Sequence, residues 1–387
     1  MAKKNFINIV DFGNANLRFS VFDTELKQKF SETISFATEN GYNTDYNNLI
    51  KKIKIAEKKI GTHVQDIILL LDTKELFLID ISISKYLDNK ISISKIYNLL
   101  ILEINSLINN HYNNQDIIHT ILDKCIVNEK VYNFLPKDLE NINIIKVSFK
   151  IICYPKILIN EIRNNFIKNN LNIKKIFCTT YVKTLNYLNK FKRNRISFLE
   201  IGCERSSLII YQDKKLQLFQ SIPIGSYHIT KDISKIFGIN FKSAENIKQS
   251  FNKTETEFSY ENKLNQKYLP VKDILNKNIS VDKLKKVILY RVQEIIDLIF
   301  EKANKQSVSF DFNKLDLFLI GGGSILFNNN SFYLNDKFQF NSINYYSETD
   351  SDICNSGLIY YINNYEIPKL NKKKLGLFEK FFNLFEG

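Results

Sequence analysis

Tryptophan is absent from the 387 residues. No apolar run approaches the roughly 20 residues that a helix needs to cross a bilayer, so the sequence offers no candidate spanning helix. Cysteines are few and far apart: Cys125, Cys153, Cys178, Cys203 and Cys354 are odd in number and form no CxxC pair. That excludes a disulfide framework or a zinc ribbon and reads as reduced, mostly buried thiols. The four histidines, His63, His111, His119 and His228, show no metal-ligand spacing. The start, Met1-Ala2-Lys3-Lys4 and then a short apolar run broken at Asp11, lacks the plan of a secretion signal. A body that stays in the cytoplasm is expected.

What is present fits a globular chain: 44% hydrophobic and 25% charged residues. The length allows more than one domain or one large multi-lobed fold. A formal net charge of +13 suits nucleic acid, anionic lipid or an acidic protein partner. Lysine is spread along the whole chain instead of gathered with aromatics in one patch, so no nucleic-acid partner is expected. The densest basic run, Lys369 to Lys374, stands beside an apolar chain end.

Two hairpins share one grammar. In "NFINIVDFGNANLRFSVFD", Ile7, Ile9 and Val10 lead into the turn Asp11-Phe12-Gly13-Asn14, and Leu17, Phe19 and Val21 alternate with Arg18 and Ser20. In "RISFLEIGCERSSLIIYQDKKLQLFQSIPIG", Ile196 and Phe198 lead into Glu200-Ile201-Gly202, Leu208 to Tyr211 form the next strand, and Asp213-Lys214-Lys215 turns again. Two acid-x-Gly hairpins half a chain apart predict a duplicated fold with two related halves. Between them, residues 44–62, 91–110 and 155–170 read as helices, and 64–72, 119–132 and 142–155 as strands. Further on, 226–251 and 280–304 read as helices. "LDLFLIGGGSIL" reads as a strand entering a glycine turn, and "DICNSGLIYYINNY" as a last helix before a polar linker.

Three glycine turns after strands, at Gly13, Gly202 and Gly321-Gly322-Gly323, have the physics of a nucleotide site between two lobes. Hairpin tips offer backbone N–H groups to phosphates, and glycine permits close approach. An acid at each tip, Asp11 and Glu200, can hold a magnesium ion through its waters. The triple glycine would give a flat surface for adenosine. "SAENIKQSF" sets Glu245 and Lys248 on one helix face, to reach ribose and base or to form a surface ion pair.

The last thirteen residues, "LGLFEKFFNLFEG", cluster Leu377, Phe378, Phe381, Phe382, Leu384 and Phe385 at helical spacing, with Lys373 and Lys374 just before them. Such a helix can dock on its own core or lie in a membrane interface. Each buried Phe or Leu contributes roughly 1.5–3 kcal/mol, and each lysine about 1 kcal/mol on an anionic leaflet. Ordering the helix costs about 1–2 kcal/mol per residue. One copy should bind reversibly, and many copies joined together firmly. The neighbouring lysines and linker favour the membrane.

The order of phosphate hairpin, inserted module, second phosphate hairpin, Ala-Glu-x-x-Lys helix and Gly-Gly-Gly turn resembles the actin-like ATPase superfamily. Within it, "SIPIGSYHITKDISKIFGINFKSAENIK", "LKKVILYRVQEIIDLI" and the basic, Phe-rich tail resemble the cell-division protein FtsA. The resemblance implies an α/β, actin-like (ribonuclease H-like) two-lobed fold with an inserted small α/β subdomain and a C-terminal amphipathic helix. It divides the chain into 1–84 and 166–192 (lobe I), 85–165 (the insert), and 193–365 (lobe II, with 240–305 its outer part, and the return to lobe I). A basic linker, 366–374, and the tail, 375–387, complete it. It implies ATP with magnesium, held by Asp11, Gly13, Asn14, Asn16, Gly202, Ser206, Glu245, Lys248, Gly321, Gly322 and Gly323, with Asp11 and Glu200 on the metal. It implies a non-enzymatic adaptor that polymerises on the inner face of the cytoplasmic membrane at the division septum. There it would bind the C-terminal peptide of FtsZ through Arg291 and Glu294, and later division proteins.

The pattern also departs from that family. Where it reads Asp-Ile-Gly-Gly-Gly-Thr-Thr-Asp, this chain has Glu200-Ile201-Gly202-Cys203-Glu204-Arg205-Ser206-Ser207, and Thr-Ser of the first hairpin is Asn14-Ala15. Lost glycines and Glu204 predict weakened phosphate binding and very poor hydrolysis, with no catalytic residue assigned. The alternatives are an actin-fold assembly protein like PilM of type IV pili, or a small-molecule kinase of the superfamily.

Overall fold

The computed structural model describes residues 6–38, 41–42, 46–86, 93–132, 143–250, 279–305, 310–327 and 331–365. The linker and tail lie outside the described residues.

The first sheet begins with β1 (Ile7–Phe12), β2 (Asn16–Phe22) and β3 (Gln28–Ser35), two successive antiparallel hairpins. A two-stranded ribbon, β4 (Ala37–Thr38) and β5 (Gly41–Tyr42), and helix α1 (Tyr46–Ile60) follow. Strand β6 (Asp66–Leu71), a continuous apolar run, returns parallel to β1, as a strand buried on both faces should.

A second sheet then interrupts the first. It consists of β7 (Phe77–Tyr86), β8 (Gln115–Val127), β9 (Lys130–Tyr132) and β10 (Ile144–Pro155), all antiparallel, in the order β7-β10-β8-β9. Helix α2 (Ile93–His111) covers one face through Ile96, Leu100, Ile104 and Ile108. Strand β7 went unread in the sequence although Ile79, Ile81 and Ile83 alternate with Asp80, Ser82 and Ser84, a plain period of two. Helix α3 (Lys156–Ile167) leads back to the first sheet, where β11 (Asn172–Cys178) adds parallel to β6. The completed order is β11-β6-β1-β2-β3.

Helix α4 (Thr179–Phe191) crosses to a third sheet, built of β12 (Arg195–Ile201), β13 (Ser206–Gln212), β14 (Lys215–Ile222), β15 (Asp316–Ile320) and β16 (Ser342–Tyr345). Its order, β14-β13-β12-β15-β16, repeats the first: two antiparallel hairpins on one side and two parallel additions on the other. The duplication expected from the hairpins is thus real. The stretch read as one helix over 226–251 is two, α5 (Ser226–Phe237) and α6 (Phe241–Ser250). Gly238, at φ 62°, ends α5 in the left-handed cap that glycine adopts at low cost. Helix α7 (Val281–Asn304) buries Leu284, Ile288, Val292, Ile295 and Ile299 at helical spacing against α5 and this sheet. Two more helices follow, the short α8 (Ser331–Phe338) and the longer α9 (Asp350–Asn364), the latter packed on α4 and β1. Among the described residues, no helix is long and apolar enough to cross a membrane.

Candidate functional site

Helix α4 is buried on nearly all sides, and its N-terminus points into the cleft between the two repeated sheets. Both hairpin turns arrive there. Asp11 stands one residue before the end of β1 and is 2% exposed. Its Oδ2 accepts from Arg18 Nη1 at 2.8 Å and its Oδ1 from Thr179 Oγ1 at 3.1 Å. Arg18 also pairs with Asp350 at the start of α9. Burial raises the Asp11 pKa, with Arg18 opposing.

Glu200 stands one residue before the end of β12 and is also buried. Its Oε1 lies 2.5 Å from Lys183 Nζ on α4, and its Oε2 accepts from Thr180. Lys183 also meets Glu348, just beyond β16, at 2.9 Å. Burial would raise the Glu200 pKa, but Lys183 and then Arg205 bring it below the usual carboxylate range. The same two glutamates raise Lys183 against the effect of burial. Arg205, 2% exposed, leaves the second hairpin turn for Asp72 at the end of β6, with Nε at 2.9 Å. Its Nη1 reaches Ser207 Oγ at 2.9 Å and its Nη2 reaches Thr180 Oγ1 at 2.5 Å.

The two hairpin tips touch directly. Asn14 Nδ2 donates to Glu204 Oε2 at 2.9 Å, and Lys74 stands 3.8 Å from Glu204. Gly202 N–H is spent within its own turn, on Arg205 O at 2.9 Å, as is Gly13 N–H on Asn16 O at 3.1 Å. Ser206 Oγ donates to Ile224 O. In the triple-glycine turn, Gly321 sits at φ 86° and gives its N–H to Glu348 at 2.6 Å. Gly323 donates to Ile201 O at 2.9 Å, whereas Gly322 has open space around it.

Glu245 and Lys248 form a buried pair at 2.7 Å, not a surface one. Thr230 donates to Glu245, Gln249 completes that carboxylate, and Lys248 also reaches Thr230 Oγ1 and Ser226 O. Arg291 is partly exposed on α7. It joins Asp232 of α5 at 2.6 Å and Glu294 at 2.6 Å, so it is an anchored charge and not a freely solvated one. Tyr290 and Ile236 are exposed on the same two helices.

The sequence-derived cleft residues Asp11, Gly13, Asn14, Asn16, Gly202, Ser206 and Glu200 therefore meet at one place, bordered by Gly321. Asp72, Lys183, Arg205 and Glu348 belong with them and were missed as partners. Arg18 was discoverable, because hairpin register sets it directly opposite Asp11. A magnesium ion held through its waters would share Asp11 and Glu200 with partners inside the chain. All four oxygens of Asp11 and Glu200 already accept from the chain itself, one on each acid from a cation. Among the described residues, no group of three or more His, Cys, Asp or Glu side chains could hold a metal ion.

Gly225 closes the site from below. A Cβ there would stand 2.5 Å from Cys203 O, 2.7 Å from Gly202 O and 2.8 Å from Arg205 N, all backbone of the second hairpin turn. Gly225→Ala should lower unfolding stability by about 1–3 kcal/mol, as overpacking does. An unchanged urea midpoint would show that this turn is not rigidly seated.

The repeated sheets with one inserted sheet define an actin-like ATPase fold. In agreement, the solved PilM-PilN type IV pilus biogenesis complex aligns with 91% of this chain and 90% of its own, at TM-score 0.55 and 13% identity. MreB 5 of Spiroplasma citri bound to AMPPNP also aligns, at TM-score 0.45 and 12% identity over 92% of this chain and 96% of that one. Within that class the sequence is FtsA-like. The family model "Cell division protein FtsA" matches residues 198–335, from β12 into α8. Cell division protein FtsA of Helicobacter pylori strain J99 is 26% identical over 158 residues, 38% of this chain and 31% of that protein. FtsA of strain 26695 is 25% identical over 142 residues, 35% of this chain and 27% of that protein. The chain thus spans about a third of the length of these relatives.

Proposed function

We propose that this chain is an FtsA-like cell-division adaptor. It assembles with copies of itself and attaches peripherally to the inner face of the cytoplasmic membrane through 375–387. At the septum it holds the C-terminal peptide of FtsZ, and later division proteins join there. The observation that carries this reading is the FtsA match across the second lobe, which includes α7 with Arg291 and Glu294. Arg291 can exchange its exposed partner Glu294 for a peptide carboxylate while Asp232 keeps it aimed. Magnesium-assisted hydrolysis forms no part of the proposal.

A PilM-like assembly role is the second reading, favoured by an alignment that covers 91% of the chain. Co-sedimentation of FtsZ with anionic liposomes separates the two. Whole protein should carry FtsZ to lipid. Truncation after Lys374 should abolish lipid binding, and Arg291→Glu should keep lipid binding but lose FtsZ. Lipid binding that survives truncation favours the PilM-like reading. Undiminished FtsZ capture by Arg291→Glu removes that residue from the interface.

A further inference from the structure

The place between the hairpin tips, where a nucleotide's phosphates are expected, is crossed by the chain's own side chains. We propose that these form an ionic clasp, centred on Arg205, which holds the two lobes closed without nucleotide or metal. The inference rests on the fold and the cleft geometry, independently of the division partners proposed above.

Three bridges make the clasp. Arg205 of the second lobe pairs with Asp72 of the first and is steadied by Ser207 and Thr180. Asn14 of the first hairpin donates to Glu204 of the second, tip to tip. Lys183, on the helix between the lobes, gathers Glu200 of the third sheet and Glu348 just beyond it. The replaced residues explain the geometry. Side chains at Cys203 and Glu204 stand where the family pattern has glycine, and Arg205 stands where it has threonine, so the turn projects charges across the cleft and no longer wraps an anion. Glu204 at the tip repels a phosphate, and Arg205 is unavailable to neutralise it because Asp72 already holds it. The adenosine end is closed in the same manner: Glu245 and Lys248 satisfy each other, and Glu348 takes the N–H of Gly321. Arg205 acts through Asp72 and is a positioning residue, not a catalytic one.

The test uses full-length protein stripped with EDTA. Melting temperature and fluorescent ATP-analogue binding are followed with magnesium alone, with magnesium and ATP, and with magnesium and ADP, each to millimolar concentration. No saturable binding and no shift in melting temperature are expected. Asp72→Asn and Arg205→Gln should each lower the melting temperature, and the double variant should fall no further than the worse single one. Small-angle scattering should show Arg205→Gln expanded relative to the unaltered chain, with Arg205→Lys recovering part of the compactness. Saturable ATP binding at micromolar concentration with a raised melting temperature would overturn the proposal. Additive losses in the two single variants would also overturn it, because the pair would then not be joined in a working contact.

Discussion

Lys183→Met should be among the most damaging single substitutions in this protein, with a loss of about 3–5 kcal/mol. Lys183 is 3% exposed, and its ammonium faces Glu200 at 2.5 Å and Glu348 at 2.9 Å. Methionine fills most of the volume, so the loss measures charge and not packing. Two carboxylates would remain buried together, with Thr180 on one and Tyr187 and Gly321 N–H on the other. Urea unfolding at neutral pH would check this. The pH dependence gives a second reading. In the unaltered chain the Glu200 pKa lies below its ordinary 4.5, so its contribution holds above that value and is lost as pH falls through the folded one. In Lys183→Met, Glu200 loses the first of the cations that hold its pKa down while its burial remains, so its pKa should rise and stability should increase as pH falls through it. A further change of Glu200 to Gln, which removes one charge, should restore part of the loss. A near-neutral effect of Lys183→Met would mean that Arg205, 4.0 Å from Glu200, already suffices.

How much of this was legible in the sequence follows from how far apart the partners lie. Each hairpin is local: Asp11 and Arg18 are seven residues apart, and alternation exposes both strands. The second hairpin was readable for the same reason, and two such hairpins sufficed to suggest a duplicated fold. The parallel additions were not, because β6 joins β1 across a long connection that no local pattern records. Helix α4 escaped notice because its buried face itself carries polar residues, Thr180, Lys183 and Thr184, which blur the apolar stripe. The cleft network was the least visible part. Arg205 and Asp72 are 133 residues apart, and Arg18 and Asp350 are 332 apart. In sequence Arg205 stands beside Glu204, whereas the fold turns it toward the other lobe. Glu245 and Lys248 were correctly placed on one helix face, but their burial depends on Thr230 and Ser226, which reach them from α5.

His119 should make stability fall with acid well before the surface carboxylates titrate. It sits on β8 of the inserted sheet and is 4% exposed. Its Nε2 accepts the N–H of Cys178, at the end of β11, at 2.9 Å, which leaves the ring proton on Nδ1 beside Tyr360 Oη of α9 at 3.1 Å. The rings of Phe177, Tyr181 and Tyr360 enclose it. A second ring proton would meet the backbone N–H head-on. Burial lowers the folded pKa from 6.5 to about 3. The unfolded chain therefore takes up a proton at 6.5 that the folded chain refuses. The contribution of His119 is complete above that pH and declines by about 1.4 kcal/mol per unit as pH falls toward the folded value. Between pH 6.5 and 5 the loss should be about 2 kcal/mol, read as a falling urea midpoint. His119→Gln cannot take up that proton, so it should start less stable at neutral pH and stay nearly level over the same interval. A level profile in the unaltered chain would mean that the insert and the first sheet part company to let the imidazole charge. This histidine would then be a hinge between them and not a rivet.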